Sequence, residues 1–269
     1  MIWLGCSGWS YKEWSGAFYP SFVRDQLKYY SQKFNSVEIN STFYGEPDRN
    51  IVRSWCSKIG DRGDFRFSIK MPGSITHDLF FRDLPATISR SLDFEKLILG
   101  EIDKYGKLGA CLIQMPPWLS GKQWDNFMEM ISYLDTTRYR YFVETRNPDI
   151  SPAAARESLG KFNVGLALVD TPLIHLGTID AGTNYIRLHG RNAEQWNQVD
   201  DKMSKYHYLY GSEEISGIAS VIKPHLSSQD DIFVYFNNHH EGFAPTNAIE
   251  LGNALGILPA GFPDQKKLF

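Results

Sequence analysis

The sequence predicts an α/β fold, a (β/α)8 TIM barrel, and three observations support that prediction. Short runs rich in β-branched and aromatic residues alternate with segments whose apolar residues recur every three or four positions, the period of a helix. The alternation repeats eight times in 269 residues, which suits a barrel of about 250 residues. No linker, repeat or low-complexity tract interrupts it, so residues 1–269 are predicted to form one domain.

Each predicted strand is a short run of mostly apolar residues. The eight runs are Trp3–Cys6, Ser36–Asn40, Phe65–Lys70, Ala110–Gln114, Arg140–Arg146, Val164–Asp170, Tyr185–His189 and Ile232–Asn237. Helical segments follow most of them, and Asp48 and Ser212 stand where N-caps are expected. Only Thr171–Asn184 separates the sixth and seventh strands, and Pro172 leaves little room for a helix, so an irregular connection is predicted there. A doubly wound open sheet is the alternative fold, because it needs the same alternation.

Composition and charge narrow the functional classes. The 28 Lys and Arg residues nearly balance the 31 Asp and Glu residues, so neither a polybasic membrane binder nor a generic nucleic-acid coat is expected. Cys6, Cys56 and Cys111 are too widely spaced for a disulfide framework or a zinc knuckle, which favours a reducing compartment. No signal-peptide pattern is visible and no run approaches about 18 apolar residues, so a cytoplasmic protein without membrane contact is expected.

Polar side chains gather at the carboxyl ends of the predicted strands. Because strand side chains alternate between two faces, Glu38, Glu144 and Arg187 lie deeper than a merely solvated last residue would. Burying such charges unpaired costs several kcal/mol, so they are expected to form an internal network. In a barrel, the carboxyl ends of the strands meet at one mouth, which is the usual catalytic face.

The charges expected at this mouth are balanced. The carboxylates Glu38, Glu144 and Asp170 face the cations Lys70, Arg146 and Arg187, with His77 and His189 nearby. A dedicated metal cage has few cations, because lysine and arginine repel the ion. The balanced set instead favours arginines that grip a phosphate or carboxylate. No metal ligand and no cofactor is therefore assigned, and a divalent metal is left open.

Several motifs along the chain resemble the DUF72 family, also called YecE-like. They are Gly5-Cys6-Ser7-Gly8-Trp9, Glu38-Ile39-Asn40-Ser41-Thr42-Phe43-Tyr44, Lys70-Met71-Pro72, Gln114-Met115-Pro116-Pro117, Glu144-Thr145-Arg146, Arg187-Leu188-His189-Gly190 and Tyr235-Phe236-Asn237-Asn238. The resemblance covers residues 1 to about 255 and implies a TIM barrel of bacterial or archaeal origin with no established activity. Cys6 departs from the family, in which a threonine is usual.

Aromatic residues crowd the loops that follow the first, second and fourth strands. Packing is the expected role of Trp14 and Phe18, whereas Tyr11, Tyr44 and Trp118 are expected to flank a sugar or a base.

Two further motifs are weak. The adjacent histidines His239 and His240 lie in a predicted loop and are expected to be solvated. Ser7 as a nucleophile lacks an identifiable base.

The function favoured by these residues is an enzyme that acts on a small anionic, sugar-like or phosphorylated substrate by general acid/base chemistry. The catalytic candidates are Glu38, Lys70, Glu144, Asp170 and His189, and the substrate-binding candidates are Asn40, Tyr44, His77, Gln114, Arg146, Arg187 and Asn237. One alternative is a metal-dependent nucleic-acid enzyme resembling barrel endonucleases, which would use His77, Glu144, Asp170 and His189. Another is a non-catalytic metabolite-binding module. The sequence resolves neither the reaction class nor the oligomeric state.

Overall fold

A computed structural model describes residues 1–147, 149–196 and 206–258, with only the backbone of residues 195 and 196. The chain forms two compact units. Unit 1 comprises Met1–Val37 and Leu168–Phe269, and unit 2 comprises Glu38–Ala167.

The described residues form nine strands arranged in two sheets. The strands are β1 (Ile2–Cys6), β2 (Ser36–Ile39), β3 (Arg66–Lys70), β4 (Leu108–Gln114), β5 (Tyr141–Glu144), β6 (Gly165–Leu166), β7 (Leu168–Asp170), β8 (Asn184–Leu188) and β9 (Ile232–Phe236). One sheet has the order β1-β9-β8-β7 and the other the order β2-β3-β4-β5-β6. The pairs of the first sheet, and those from β3 to β6 in the second, are parallel.

Helices separate most of the strands. The α-helices are α1 (Gln26–Lys33), α2 (Arg49–Ile59), α3 (Leu84–Phe94), α4 (Gly100–Asp103), α5 (Gly121–Ser132), α6 (Pro152–Gly160), α7 (Ala193–Trp196), α8 (Ser212–Ile222) and α9 (Phe243–Leu255). Short 3-10 turns occur at Lys12–Trp14, Ser41–Phe43, Lys223–His225 and His240–Gly242, and π-helical turns at Ser74–Leu79 and Glu95–Leu99. No helix within the described ranges is long and apolar enough to cross a bilayer.

The α/β class is confirmed, and each predicted strand corresponds to an observed one. The predicted strand Val164–Asp170 is found as two, because the pairing partner changes at Ala167: β6 pairs with β5, and β7 pairs with β8. The segment from Thr171 to Asn184 contains no helix, as the sequence predicted. Closure of all the strands into one barrel, and a single domain, stay predictions.

One of the two predicted helix caps is confirmed. Asp48 caps α2 by accepting from the backbone N–H of Asn50 at 2.7 Å. Ser212 is the first residue of α8 rather than its cap. The cap position belongs to Gly211, whose N–H donates to the Glu214 carboxylate at 2.9 Å, so the glutamate half of a capping box is present where glycine offers no side-chain cap.

A close approach of backbones holds β1 near the start of β2 in unit 1. A Cβ on Gly5 would overlap the carbonyl oxygen of Ser36, so only glycine fits there. The buried Tyr30 hydroxyl bridges the same two strands, donating to the Ser36 carbonyl at 3.0 Å and accepting from Cys6 N–H at 2.7 Å. The loop after β1 therefore starts from a fixed point.

Candidate functional site

The residues predicted to form the site divide between the two units. Unit 2 holds Glu38, Asn40, Tyr44, Lys70, His77, Gln114, Glu144 and Arg146, and unit 1 holds Asp170, Arg187, His189 and Asn237. Most of them end a strand or follow it directly, and Tyr44 and His77 lie further along the loops. That all of them line one mouth stays a prediction.

Two neighbouring strands of unit 2 bring an ion pair and an amide together. Gln114 ends β4 in register with Glu144, which ends β5, and both side chains are buried. Arg146 reaches both of them: Nε donates to Glu144 Oε1 at 2.8 Å, and Nη2 donates to Gln114 Oε1 at 3.3 Å. The arginine side chain is 27% exposed, so part of it faces solvent.

Lys70 ends β3, the neighbour of β4, and is buried. Its ammonium nitrogen lies 3.7 Å from the centroid of the Phe43 ring, a cation–π contact. The Thr42 hydroxyl is 2.6 Å from the Lys70 carbonyl oxygen and 2.8 Å from that of Ile39. The loop after β2 is thereby tied to the end of β3, and Glu38, fully buried in β2, lies just before that loop.

Burial and two cations lower the pKa of His77. The pKa falls from 6.5 to about 4, first because burial disfavours the imidazolium and then because Lys70 and Arg146 repel it, with Asp78 opposing them. The Thr76 hydroxyl donates to a backbone carbonyl at 3.3 Å, and its oxygen lies 2.8 Å from His77 Nδ1. Since that oxygen can accept from Nδ1–H, Nε2 keeps a lone pair, and His77 is a neutral acceptor at pH 7.

Aromatic rings surround this imidazole. The rings of Phe43 and Trp118 meet His77 edge to face, with centroids 4.9 and 5.8 Å away. Trp118 is 59% exposed and Tyr44 is 85% exposed, so both offer a flat apolar face to a ligand. Asn40 follows β2 with a solvent-shielded Oδ1 that has no hydrogen-bond partner in the described part of the chain.

Polar side chains also follow the strands of unit 1. The backbone N–H groups of Ser7, Asn237 and His189 each donate to the neighbouring strand at 2.8–2.9 Å, which extends the sheet by one residue at its carboxyl edge. All three side chains are almost fully buried. Ser7 Oγ, Asn237 Oδ1 and Asn238 Oδ1 have no hydrogen-bond partner among residues 1–147, 149–196 and 206–258. Because native proteins leave few buried polar atoms unpartnered, this edge is suited to a ligand that carries hydroxyl groups.

Arg187 and His189 extend this edge with a cation and an imidazole. Arg187 Nη1 lies 3.5 Å from His189 Nε2, and His189 Nδ1 lies 3.0 Å from Asn237 Nδ2. Arg187 is only 1% exposed. The histidine ring is therefore held between an arginine and an amide, in a fixed orientation.

Asp170 is fully hydrogen-bonded. Its two oxygens accept from Arg191 Nε and Nη2, each at 2.8 Å, from the Tyr210 hydroxyl at 3.0 Å and from the Leu176 N–H at 2.8 Å. A carboxylate offers about four acceptor positions, so these contacts occupy it. The geometry supports a positioning role for Asp170.

The sequence analysis missed Arg191 and Tyr210. Arg191 also donates to Glu214 at 3.1 Å, and burial followed by the Asp170 carboxylate raises the pKa of Tyr210 well above its usual value. Arg191 follows Gly190, which has a φ of +93°, so it lies beyond the strand whose period-two pattern assigned Arg187 and His189. A charged residue directly after the Arg187–Gly190 motif was the available signal.

The aromatic loop after β1 packs inward. Trp14 and Phe18 are buried, as predicted, and the Trp14 indole N–H donates to the His239 carbonyl at 2.7 Å. Tyr11 stacks on the His239 ring with centroids 4.5 Å apart. The expectation that His239 is solvated was wrong: the side chain is buried, and burial lowers its pKa to about 4 against the opposing effect of Glu13.

None of the predicted site residues belongs to a group of metal-binding side chains within the described residues. The group that does gather ligand atoms there consists of His207, His240 and Glu241 in unit 1.

Comparison with known proteins gives a consistent family. A family model described as "Protein of unknown function DUF72" matches residues 3–267. The UPF0759 protein YunF of Bacillus subtilis is 26% identical over 295 residues that cover all of both chains. The UPF0759 protein YecE of Escherichia coli K12 is 25% identical over 180 residues, which cover 65% of this chain and 61% of YecE.

Solved structures agree with these relatives. A DUF72 family protein from Thermotoga maritima superposes with a TM-score of 0.80 at 27% identity, over 95% of this chain and 99% of that one. A DUF72 family protein from Enterococcus faecalis superposes with a TM-score of 0.77 at 20% identity, over 95% and 96% of the two chains, and supports the fold alone.

Proposed function

The chain belongs to the DUF72 family, whose description assigns no activity, and from that premise we propose that it is an enzyme acting on a small anionic, sugar-like or phosphorylated substrate. In this function, the cations Lys70 and Arg146 of unit 2 bind the anionic group. Its chemistry is general acid/base catalysis rather than nucleic-acid cleavage.

The observation that carries the proposal is the presence of two cations, Lys70 and Arg146, near His77 and at or just after the ends of β3 and β5 in unit 2. Lys70 and Arg146 both depress the pKa of this imidazole, although Glu144 accepts from Arg146 at 2.8 Å. An anion placed beside these cations would be attracted by both of them, and it would gain charge-assisted hydrogen bonds from Lys70 and Arg146. Part of the Arg146 side chain faces solvent, which gives the anion an approach.

The neighbouring groups suit acid/base work on such a substrate. His77 is neutral at pH 7 with a lone pair on Nε2, so it can accept a proton from a hydroxyl group. Glu144 and Glu38 are the candidate acid/base carboxylates of the same unit, and Gln114 is a candidate to orient a substrate hydroxyl. The exposed rings of Tyr44 and Trp118 can flank the apolar face of a sugar.

Unit 1 supports the same substrate class through a different feature. Its unpartnered buried atoms, Ser7 Oγ, Asn237 Oδ1 and Asn238 Oδ1, match hydroxyl groups better than they match phosphate, because the two amide oxygens can only accept. In this proposal Asp170 positions Arg191 and Tyr210, and His189 is the acid/base candidate of unit 1.

Thermal shift in the presence of EDTA tests the anion site. Phosphate and sugar phosphates are expected to raise the Tm of the wild-type protein by several degrees, which corresponds to a stabilisation of about 2–3 kcal/mol at a ligand concentration about 100 times the Kd. Lys70→Met is expected to lose most of that rise. Lys58→Met removes an exposed lysine near the end of α2 and is the matched control, which should keep it.

A turnover assay distinguishes an enzyme from a non-catalytic binding module. A sugar phosphate that stabilises the wild-type protein is incubated with wild type and Glu144→Gln and followed by ³¹P and ¹H NMR. Conversion by the wild type that the variant loses supports catalysis, and stabilisation without conversion would favour the binding module. If phosphate and sugar phosphates do not raise the Tm, and the protein cleaves an oligonucleotide in the presence of Mg²⁺, the proposal is overturned in favour of the nucleic-acid enzyme.

A further inference from the structure

A second set of polar side chains in unit 1 contains none of the residues assigned to the proposed substrate site. His207, His240 and Glu241 bring one ligand atom each to within 4.8 Å of one another. The sequence showed only the adjacent pair His239 and His240, because His207 is 34 positions away from Glu241. We call these three residues the histidine cluster.

The chain geometry after β9 sends two adjacent histidines in different directions. His239 is buried and stacked between Tyr11 and Tyr206, with ring centroids 4.5 and 5.1 Å away. His240 begins the 3-10 turn His240–Gly242 and is 35% exposed. Only the second histidine of the pair is therefore available to a metal ion.

Packing fixes the direction of His207. Its ring stacks on Phe243, the first residue of α9, with centroids 5.3 Å apart and an interplanar angle of 26°. It also meets the His240 ring edge to face at 4.6 Å. Two ring contacts hold the imidazole with Nε2 toward the carboxylate of Glu241, at 3.4 Å.

The carboxylate of Glu241 lies within 4.0 Å of a ring nitrogen of each imidazole. Glu241 Oε2 is 3.4 Å from His207 Nε2, and Glu241 Oε1 is 4.0 Å from His240 Nδ1. A tetrahedral zinc ion with bonds of about 2.0–2.1 Å holds neighbouring ligand atoms about 3.3 Å apart. The first pair already has that spacing, and all three ligand atoms lie within 4.8 Å of one another, so a bound ion would draw the remaining pairs together by rotation of the half-exposed side chains.

A second observation also points to a ligand. Although part of its side chain is exposed, His240 Nδ1 is shielded from solvent and has no hydrogen-bond partner within the described ranges. Leaving such a nitrogen unpartnered is unfavourable, because it has given up its hydrogen bonds to water without a replacement. A cation between His240 and Glu241 would supply the missing partner.

We propose that the histidine cluster is a binding site for a first-row divalent transition metal, with Zn²⁺ as the ion it fits best. Two imidazole nitrogens and one carboxylate oxygen form a ligand set typical of zinc, whereas Mg²⁺ and Ca²⁺ require more oxygen ligands. Three protein ligands leave one position of a tetrahedral ion open to water. The side chains are 42%, 35% and 58% exposed for His207, His240 and Glu241, which leaves room for that water.

Metal titration of the full-length protein tests the site. After EDTA treatment and desalting, ZnCl₂ is titrated calorimetrically, and Co²⁺ binding is followed by its visible d–d absorption. The wild type is expected to bind one Zn²⁺ and to give the intense spectrum of four-coordinate Co²⁺. His207→Ala and His240→Ala are each expected to weaken binding at least tenfold, while His225→Ala, which removes a histidine outside the cluster, leaves it unchanged.

Two controls make the outcome decisive. The Tm of each variant without metal, together with its circular dichroism, reports whether it is folded, and Glu241→Gln serves as a conservative second variant if an alanine variant is not. The phosphate-induced Tm rise measured in EDTA must persist in His240→Ala, which keeps this site separate from the proposed anion site. Zinc binding that is absent in the wild type, or unchanged in both histidine variants, would overturn the assignment.

Discussion

Asp170 in unit 1 and Glu144 in unit 2 are both buried carboxylates at the end of a parallel strand, and their surroundings differ. Asp170 accepts four hydrogen bonds, from Arg191, Tyr210 and a backbone N–H. Glu144 accepts from Arg146, which is shared with an amide and is 27% exposed. A carboxylate whose oxygens are all occupied serves the fold, whereas one beside a partly exposed arginine is suited to chemistry.

The largest expected effect is therefore on stability, at Asp170. Asp170→Asn replaces a buried acceptor by an amide donor that faces Arg191, and it leaves that arginine, whose side chain is 19% exposed, less compensated. Breaking a buried pair in this way costs about 3–5 kcal/mol, and we expect the lower part of that range because Arg191 keeps Glu214. Urea unfolding monitored by fluorescence measures the difference.

The matched control is a pair of the same chemistry at the surface. Asp64 accepts from Arg62 Nε and Nη2 at 2.8 and 2.9 Å, and the Asp64 side chain is 64% exposed. Asp64→Asn is expected to cost less than about 1 kcal/mol. Equal losses at the two positions would show that the hydrogen bonds around Asp170 do not make it a structural residue.

A pH effect of intermediate size compares two histidines whose pKa is lowered by burial, the buried His239 and the partly exposed His77. Burial lowers the pKa of both His77 and His239 from 6.5 to about 4, so the folded protein binds fewer protons than the unfolded chain between those values. Their contribution to stability is complete above pH 6.5 and is lost as the pH falls toward 4. From pH 7 to pH 5 the loss is about 2 kcal/mol for His239, and less for His77, which is more exposed.

Phenylalanine variants separate the two contributions. His239→Phe and His77→Phe cannot titrate, so each is expected to show a flatter dependence of unfolding free energy on pH between 7 and 5 than the wild type. The slope, rather than the stability at a single pH, is the readout, because loss of packing would lower stability at every pH. Parallel curves for wild type and both variants would contradict the lowered pKa values.

The repeating part of the fold was predictable because burial in a parallel sheet imposes it. Apolar runs predicted β1 and β9, and the period-two pattern predicted that the charged residues Glu144 and Arg187 are buried, as the structure shows. The ends of several strands were placed too far, as at Asn40, whose backbone angles are helical, and at Asn237, whose N–H still donates to the Leu188 carbonyl although β9 ends at Phe236.

The parts that were missed depend on contacts between distant segments. Arg191 and Tyr210 meet at Asp170 although each follows a different element, so no local period reveals them. The histidine cluster has the same origin, since a residue before α8 meets the turn that begins α9. Loop side chains obey no fixed period, and their neighbours are set by packing.

A substitution at Glu144 is expected to lower stability less than Asp170→Asn does, and to lower turnover more than it lowers stability. Glu144→Gln keeps the shape of the side chain and an oxygen that can still accept from Arg146, and solvent at the exposed arginine screens the lost charge. The cost is expected to be below about 1.5 kcal/mol, well under that of Asp170→Asn. Turnover of a stabilising substrate is expected to fall strongly, because the variant cannot exchange a proton at this position.

Glu129→Gln is the control for this variant, because Glu129 is an exposed glutamate of α5. A large drop in Tm with an unchanged ligand response would make Glu144 a structural ion-pair residue like Asp170. The contrast between the two units would then disappear.

The smallest effect on stability is expected at Tyr44, whose side chain is 85% exposed and contacts the Phe43 ring edge to face with centroids 5.3 Å apart. Tyr44→Ala should change the unfolding free energy by less than about 0.5 kcal/mol. If the ring flanks a sugar, the variant should weaken sugar-phosphate binding by about fivefold, equivalent to about 1 kcal/mol of stacking, and leave inorganic phosphate binding unchanged.

Tyr133→Ala is the control, because it removes another exposed tyrosine, which follows α5 and is 55% exposed. It should change the affinity for neither ligand. Equal losses for phosphate and sugar phosphate would mean that Tyr44 acts on the cations Lys70 and Arg146 rather than on a sugar ring, whereas no loss for either ligand would remove Tyr44 from the site.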